Sequence, residues 1–274
     1  MTQVSGETID YPTVRIEFDG PLGVLTLNSP KTLNAIGEAM ALDIAEALSE
    51  VVKPRRKCRA LLITGEGRAF SAGVNLMDRR AAVIAGTRKM EALGGAETTF
   101  HPMLRRIHRL RIPVIAGVNG LAIGIGLGLA LTADYVVAAQ SAWFQTPFRN
   151  LASAPDSGLT WLLPRTIGTL RAKRMLMRAE KVDAPTALDW GLVSEVLPDE
   201  GFAAGARAVA MEFAEGATLA LGEIKQLIAE GQTGELHSAF EGEAAAVERT
   251  ARTRDNVAAV KLFASKTVPS FTGD

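Results

Sequence analysis

An α/β core with parallel strands, carrying an α-helical tail, is the fold class that the sequence predicts. Two observations carry the prediction. Between residues 58 and 139, short apolar runs alternate with helical stretches, the signature of parallel strands joined through helices. After residue 155 the pattern turns almost wholly helical. The α/β body is therefore expected over residues 1–200 and a helical region over 201–274.

The elements follow in chain order. Segments 12–18 and 23–28 alternate apolar and polar residues around Asp19-Gly20-Pro21, a β-hairpin signal. Residues 37–53 place Met40, Leu42, Ile44, Ala45, Leu48, Val51 and Val52 at helical spacing. The run CRALLITG at 58–65 suits a strand buried on both faces. Residues 79–98 show weak periodicity and read as mobile. A helix is expected at 99–110, a strand at 114–118, a glycine-rich helix next, and a strand at 135–139. Helical segments are expected at 158–164, 167–178, 184–190, 200–230 and 235–265, with residues 193–197 extended.

Composition narrows the function. The chain has 274 residues, 47% hydrophobic and 22% charged, which is ordinary globular usage. Lysine plus arginine and aspartate plus glutamate both total 30, so the net charge is zero. No nucleic-acid or anionic-membrane surface is expected. One cysteine, Cys58, excludes an internal disulfide, and three scattered histidines make no metal site. Residues 1–11 lack the layout of a signal peptide, so a cytoplasmic setting is expected. Residues 114–131 are apolar except for Asn119 but hold five glycines; they read as strand, turn and buried helix rather than a membrane span. The charge run KPRRK at 53–57 reads as a solvated loop.

Three stretches can carry chemistry. Residues 67–76 follow a buried strand, and small Ser71, Ala72 and Gly73 let a ligand approach the backbone. Free N–H groups at such a turn can hold a developing negative oxygen; a plain strand-to-helix connection reads the same way. A hydrolase elbow would need glycine where Ala69 stands. Residues 119–128 repeat the arrangement, and their glycines at 124, 126 and 128 do not fit a dinucleotide fingerprint. In residues 155–161, Asp156 is a lone acid among apolar neighbours. It reads either as a helix N-cap or as a general acid/base with a raised pKa.

Together with SPKTLNA (29–35), ALDWGLVSEV (187–196) and FASKTVPSF (263–271), the motifs AFSAGVNL (69–76), PVIAGVNGLAIGIG (113–126) and PDSGLTWLLPR (155–165) resemble the crotonase family, the enoyl-CoA hydratase/isomerase superfamily. The resemblance implies a spiral of ββα repeats and a C-terminal helical region that forms a homotrimer or a dimer of trimers. It implies acyl-CoA thioester substrates, with coenzyme A part of the substrate and no further cofactor. It puts two oxyanion-hole N–H groups on Ala72 and Ile125. It lays CoA against Lys31, Leu33 and Ala35, and against Ala72, Gly73, Val74, Asn75 and Leu76. Phe263 and Lys266 would approach CoA from the C-terminal helix. Trp143, Phe144, Phe148 and Trp161 would line a dry acyl pocket.

The departures point to the reaction. Family hydratases use two glutamates, and here those positions are Gly128 and Phe148, so hydration by that route is not expected. Ile125 replaces a usual glycine, and a β-branched residue is ill suited to φ > 0. Asn75 replaces a usual aspartate. Asp156 matches the acid/base of one isomerase branch, whose phenylacetate-pathway members share its sequence context. The expected activity is therefore double-bond isomerisation of an acyl-CoA through an enolate, with Asp156 removing and returning the proton. Another reaction at Asp156, such as hydrolysis or ring isomerisation, and CoA-ester binding without catalysis are the alternatives. Were Asp156 purely structural, Glu91 and His101 would be the next acids and bases to test.

Overall fold

The computed structural model describes residues 6–76, 96–265, 267 and 269–274. Most of the segment read as mobile, including Glu91, lies outside them, as does Lys266.

The expected hairpin is present. Strands β2 (Val14–Asp19) and β3 (Leu22–Leu27) pair antiparallel across a turn in which Gly20 takes φ 56°. A further strand, β1 (Glu7–Asp10), extends it on the outside, pairing Ile9 with Ile16. Helix α1 (Glu38–Val51) buries Met40, Ile44, Leu48 and Val51 on one stripe, the face that the 3.6-residue period dictates.

From here the chain winds in repeats. Strand β4 (Ala60–Gly65) is followed by the short β5 (Ala69–Ser71) and, after helix α2 (His101–His108), β6 (Val114–Val118) by β7 (Leu121–Ile123) and helix α3 (Ile125–Leu131). Strand β8 (Tyr135–Ala139) is followed by β9 (Trp143–Gln145) and helix α4 (Leu159–Arg178). Each longer strand joins a seven-stranded sheet of order β1-β2-β3-β4-β6-β8-β11, parallel from β3 onward. Each shorter one joins a second sheet of order β10-β9-β7-β5. Strand β10 (Val182–Asp183), helix α5 (Ala184–Trp190) and β11 (Glu195–Leu197) complete the two sheets. All five residues of β6 are buried, as a parallel strand covered on both faces requires.

The stretch tested as a membrane span divides into β6, β7 and α3. Among the described residues no helix is long and apolar enough to cross a membrane.

The helical region corrects two expected boundaries. Residues 200–230 form two helices, α6 (Phe202–Glu215) and α7 (Thr218–Gly231), because the chain turns extended at Gly216. Residues 235–265 likewise divide into α8 (Leu236–Ala251) and α9 (Arg254–Leu262). There the Thr253 hydroxyl accepts the Asn256 N–H at 3.1 Å and starts a new helix. The two segments expected at 158–164 and 167–178 are the two helical stretches of α4, parted at Gly168, whose φ of 78° and ψ of 156° are not helical.

The C-terminal residues fold back onto this region. Buried Asp255 accepts hydrogen bonds from Thr272 N–H at 2.7 Å and Gly273 N–H at 2.9 Å. Arg59 reaches the Phe271 carbonyl at 3.0 Å and the Gly216 carbonyl at 2.5 Å. Burial pushes the Asp255 carboxyl up, but the Thr272 and Gly273 donors outweigh it and hold the pKa below the ordinary value. A carboxylate with a depressed pKa stabilises the fold above its unfolded pKa and loses that contribution as pH falls through the folded one. Asp255→Asn should therefore lower the urea midpoint at about pH 6, and the gap to the wild type should close toward about pH 3. Denaturation series across that range measure it.

Candidate active site

A side-chain amide organises the first part of the site. Asn34 is fully buried, with φ 54°. Its Oδ1 accepts the Ser29 N–H at 2.8 Å, and its Nδ2 donates to the carbonyls of Glu66 at 3.0 Å and Ala69 at 2.8 Å. The Ser71 hydroxyl donates to the Asn34 carbonyl at 2.8 Å. Loop 29–35 is thereby fixed to the corner between β4 and β5. Lys31, Ala35, Met40 and Asn75 then line one surface cavity of about 430 Å³. Residues from both predicted CoA-contacting motifs thus meet in space. Leu33 is half-buried beside the cavity, and Leu76 is exposed.

Pairing of this loop with residues 72–75 corrects one expectation. The Ala72 N–H donates to the Leu33 carbonyl at 2.8 Å, so it is not free to hold a thioester oxygen. The Ile36 N–H donates to the Gly73 carbonyl at 2.7 Å, and the Asn75 N–H to the Ile36 carbonyl at 3.1 Å. Along a paired strand alternate amides face opposite ways. Val74, between those two bonds, turns its N–H away from Ile36, and that N–H has no acceptor among the described residues.

The second turn is the start of α3. Gly124 takes φ 52°, and Ile125 opens the helix behind it. The left-handed conformation that would have strained a β-branched residue thus falls on the preceding glycine. Ile125 is buried, and as the first helical residue its N–H has no intrahelical acceptor. Two glycines let this helix end approach its neighbours. A Cβ on Gly126 would stand 2.7 Å from the Ser71 carbonyl oxygen. A Cβ on Gly128 would stand 2.8 Å from both the Ser157 Cβ and its carbonyl oxygen. Residues 71, 125 and 157 are brought together through these contacts.

Asp156 stands next to that second contact. Its side chain is exposed, and its Oδ1 accepts the Ser157 hydroxyl at 2.8 Å. It is not the helix cap. The N-cap of α4 is Gly158, with φ 75° and no side-chain cap bond. Phe148, in a 3₁₀ turn at Pro147–Leu151, is buried. Its ring edge lies 4.0 Å from where a Gly124 Cβ would be.

The expected aromatic lining divides. Phe144 and Phe148 belong to the buried core. Trp143 and Trp161 are half-buried under cations, Lys181 at 4.2 Å and Arg165 at 4.3 Å, so they do not form a dry wall. Phe263 is 86% exposed. His101 lies half-buried at the start of α2. Burial pushes the Cys58 thiol up to about 11, which leaves it no nucleophilic form near neutral pH. Among the described residues no group of three metal-ligating side chains is present.

Ser157 and Asn34 are the residues that sequence reasoning missed, and Val74, expected only against CoA, is the one whose N–H, without an acceptor among the described residues, it did not anticipate. Ser157 was marked only by its place beside Asp156, and Asn34 by its place in SPKTLNA. Nothing in the sequence distinguishes the amide of Val74 from that of Ala72.

The family model for enoyl-CoA hydratase/isomerase matches residues 17–274. A protein of Escherichia coli K12 named 1,2-epoxyphenylacetyl-CoA isomerase is 38% identical over 250 residues, covering 91% of this chain and 94% of its own. One from Rhodobacter capsulatus, named "Probable enoyl-CoA hydratase", is 37% identical over 265 residues, covering 97% and 100%. The crystal structure of an enoyl-CoA hydratase from Polaromonas sp. JS666 superposes with a TM-score of 0.87 at 30% identity, covering 94% of this chain and 99% of the other.

The Gly128 contact sets a stability test. Gly128→Ala forces a methyl group into Ser157 and should cost about 1–3 kcal/mol, read as a lowered urea midpoint.

Proposed function

The chain belongs to the enoyl-CoA hydratase/isomerase family, and on that premise we propose that it is an acyl-CoA isomerase in which one acid, Asp156, moves the proton. The observation that carries the reading is the packing at Gly128. The family's first hydratase glutamate would stand there, and the Ser157 backbone fills the space its Cβ needs. The second would stand at Phe148, which is buried and apolar. The acid beside this contact is Asp156. The name of the E. coli relative at 38% identity, 1,2-epoxyphenylacetyl-CoA isomerase, supports isomerase chemistry on an acyl-CoA.

In the proposed reaction the thioester oxygen accepts from two backbone N–H groups. We assign them to Ile125 and Val74, the latter in place of Ala72, whose amide is engaged with Leu33. The Asp156 carboxylate takes a proton from the acyl chain, and the electron pair moves onto the thioester oxygen. The enolate is held by the two donors. The same carboxyl then returns the proton to a different carbon, which shifts the double bond. No cofactor is required, because the CoA thioester itself acidifies the proton. CoA would lie along Lys31, Leu33, Ala35, Gly73, Asn75 and Leu76, over the cavity at Ala35 and Asn75.

The helical region supports self-assembly. Leu236, Phe240, Val247, Val260 and Phe263 are exposed apolar side chains on or just after α8 and α9. Closed assembly with copies of the chain is the common way to cover such a surface, and we propose a trimer or a dimer of trimers. Sedimentation at micromolar concentration should show no monomer.

Asp156→Asn keeps the size of the side chain and removes its proton-accepting role. Turnover on 3-enoyl- or aryl-acyl-CoA esters, followed by mass spectrometry of products, should fall by about 100-fold or more. Affinity for the ester should hold, because backbone N–H groups grip the oxygen. Wild-type turnover in this variant would sink the reading. So would brisk conversion of crotonyl-CoA to its 3-hydroxy product by the wild type.

A further inference from the structure

We infer that Ser157 is a positioning residue for Asp156: its hydroxyl holds one carboxylate oxygen, so that the other is dedicated to proton transfer. The inference rests on the isomerase reading above.

The two neighbours differ sharply in exposure. The Asp156 side chain is exposed, and an exposed carboxylate samples several rotamers on its own. Ser157 is 1% exposed. Its Cβ and carbonyl lie against the bare face of Gly128, and Gly158 caps α4 directly behind it. The Ser157 hydroxyl donates to Asp156 Oδ1 at 2.8 Å, and the Asp156 carbonyl accepts the Leu159 N–H at 3.1 Å. The exposed side chain is therefore tethered to a buried, close-packed point of the loop.

Backbone conformation argues that the hydroxyl is what the position retains. Ser157 sits at φ 56°, a region that glycine enters freely and side-chain-bearing residues rarely do. Glycine would ease the backbone and the crowding at Gly128 alike. For the backbone alone, glycine is the better residue here. Proton abstraction does gain, because it needs the accepting oxygen within hydrogen-bond reach and correctly aimed. With Oδ1 held by Ser157, Oδ2 takes the acyl proton as the electron pair moves onto the thioester oxygen, and it later gives the same proton back. The serine proton stays on Oγ throughout.

The test compares Ser157→Ala and Ser157→Gly with Asp156→Asn and with the double variant Asp156→Asn/Ser157→Ala. The glycine variant guards against misfolding, since it removes the hydroxyl while relieving the backbone. Both Ser157 variants should fold, and both should lose about 10-fold or more in kcat, the scale of a hydrogen bond to a charged group. KM should be unchanged. In the Asp156→Asn background, Ser157→Ala should not weaken acyl-CoA binding further. Wild-type kcat in Ser157→Gly, with Asp156→Asn inactive, would overturn the role of Ser157 and leave the isomerase reading standing. A rise in KM matching the fall in kcat, or an added loss of acyl-CoA affinity in the double variant, would show a structural role and also overturn it. Wild-type turnover in Asp156→Asn would remove both readings.

Discussion

The site depends on one close approach, the wedging of the start of α3 between Ser71 and Ser157. Only absent side chains at Gly126 and Gly128 make it possible, since a Cβ at either would lie within 2.8 Å of a neighbouring atom. The approach joins residues from three separate turns of the chain. It also has an electrostatic result. Ile125 opens a buried helix, and its N–H has no intrahelical acceptor. The Val74 N–H lies on the turn joined to Ser71, also without an acceptor among the described residues. Unpaired donors in a low-dielectric interior carry a desolvation cost. An oxygen acceptor with growing negative charge relieves that cost, which is the thermodynamic basis of an oxyanion hole.

Side-chain amides keep the corners in place. Where the chain leaves the seven-stranded sheet for the smaller one, the backbone ladder is interrupted and its groups need other partners. Asn119 supplies them at one corner, accepting the Gly65 N–H at 3.2 Å and donating to the Gly67 carbonyl at 2.8 Å. Asn34 does the same for the loop that lines the cavity. Both sit in the motifs that carry the family resemblance. Their role is to hold the turns in register, so that the small residues beside them present backbone to a ligand. Packing of β4 and β6 provides the rigid floor, and the amides set the geometry above it.

What could be read in the sequence follows from the range of the interaction involved. Strands β4, β6 and β8 and helix α1 stood out because burial writes itself as a continuous run or a 3.6-residue stripe. Strands β5, β7 and β9 have three residues each, too few for any period to register. Strand β1 is polar apart from Ile9, which leaves no alternation to read. The breaks at Gly216 and Thr253 are local capping events inside otherwise helical composition. In the turn at residues 69–76, which amide is engaged depends on pairing between residues 33–36 and 72–75. That pairing is non-local; it engages the Ala72 amide and leaves the Val74 amide without an acceptor among the described residues. The concern over Ile125 dissolved for a similar reason, since Gly124 absorbs the positive φ. The cap expected of Asp156 falls instead on Gly158.

Packing and chemistry are linked at a single point. The 155–158 loop in its present course and a glutamate at position 128 exclude one another, because both need the space now held by Ser157. In the proposed site the acid available to the acyl chain thus changes with the path of a loop, while the Ile125 and Val74 amides stay where they are. A pair of acids can deliver the elements of water to a double bond, one activating the water and the other supplying a proton. A lone carboxylate has a narrower range. The proton it takes is the one it has to give back, so in the proposed reaction product differs from substrate only in where that proton sits. On the proposed reading, isomerisation rather than addition of water is the chemistry assigned to this loop.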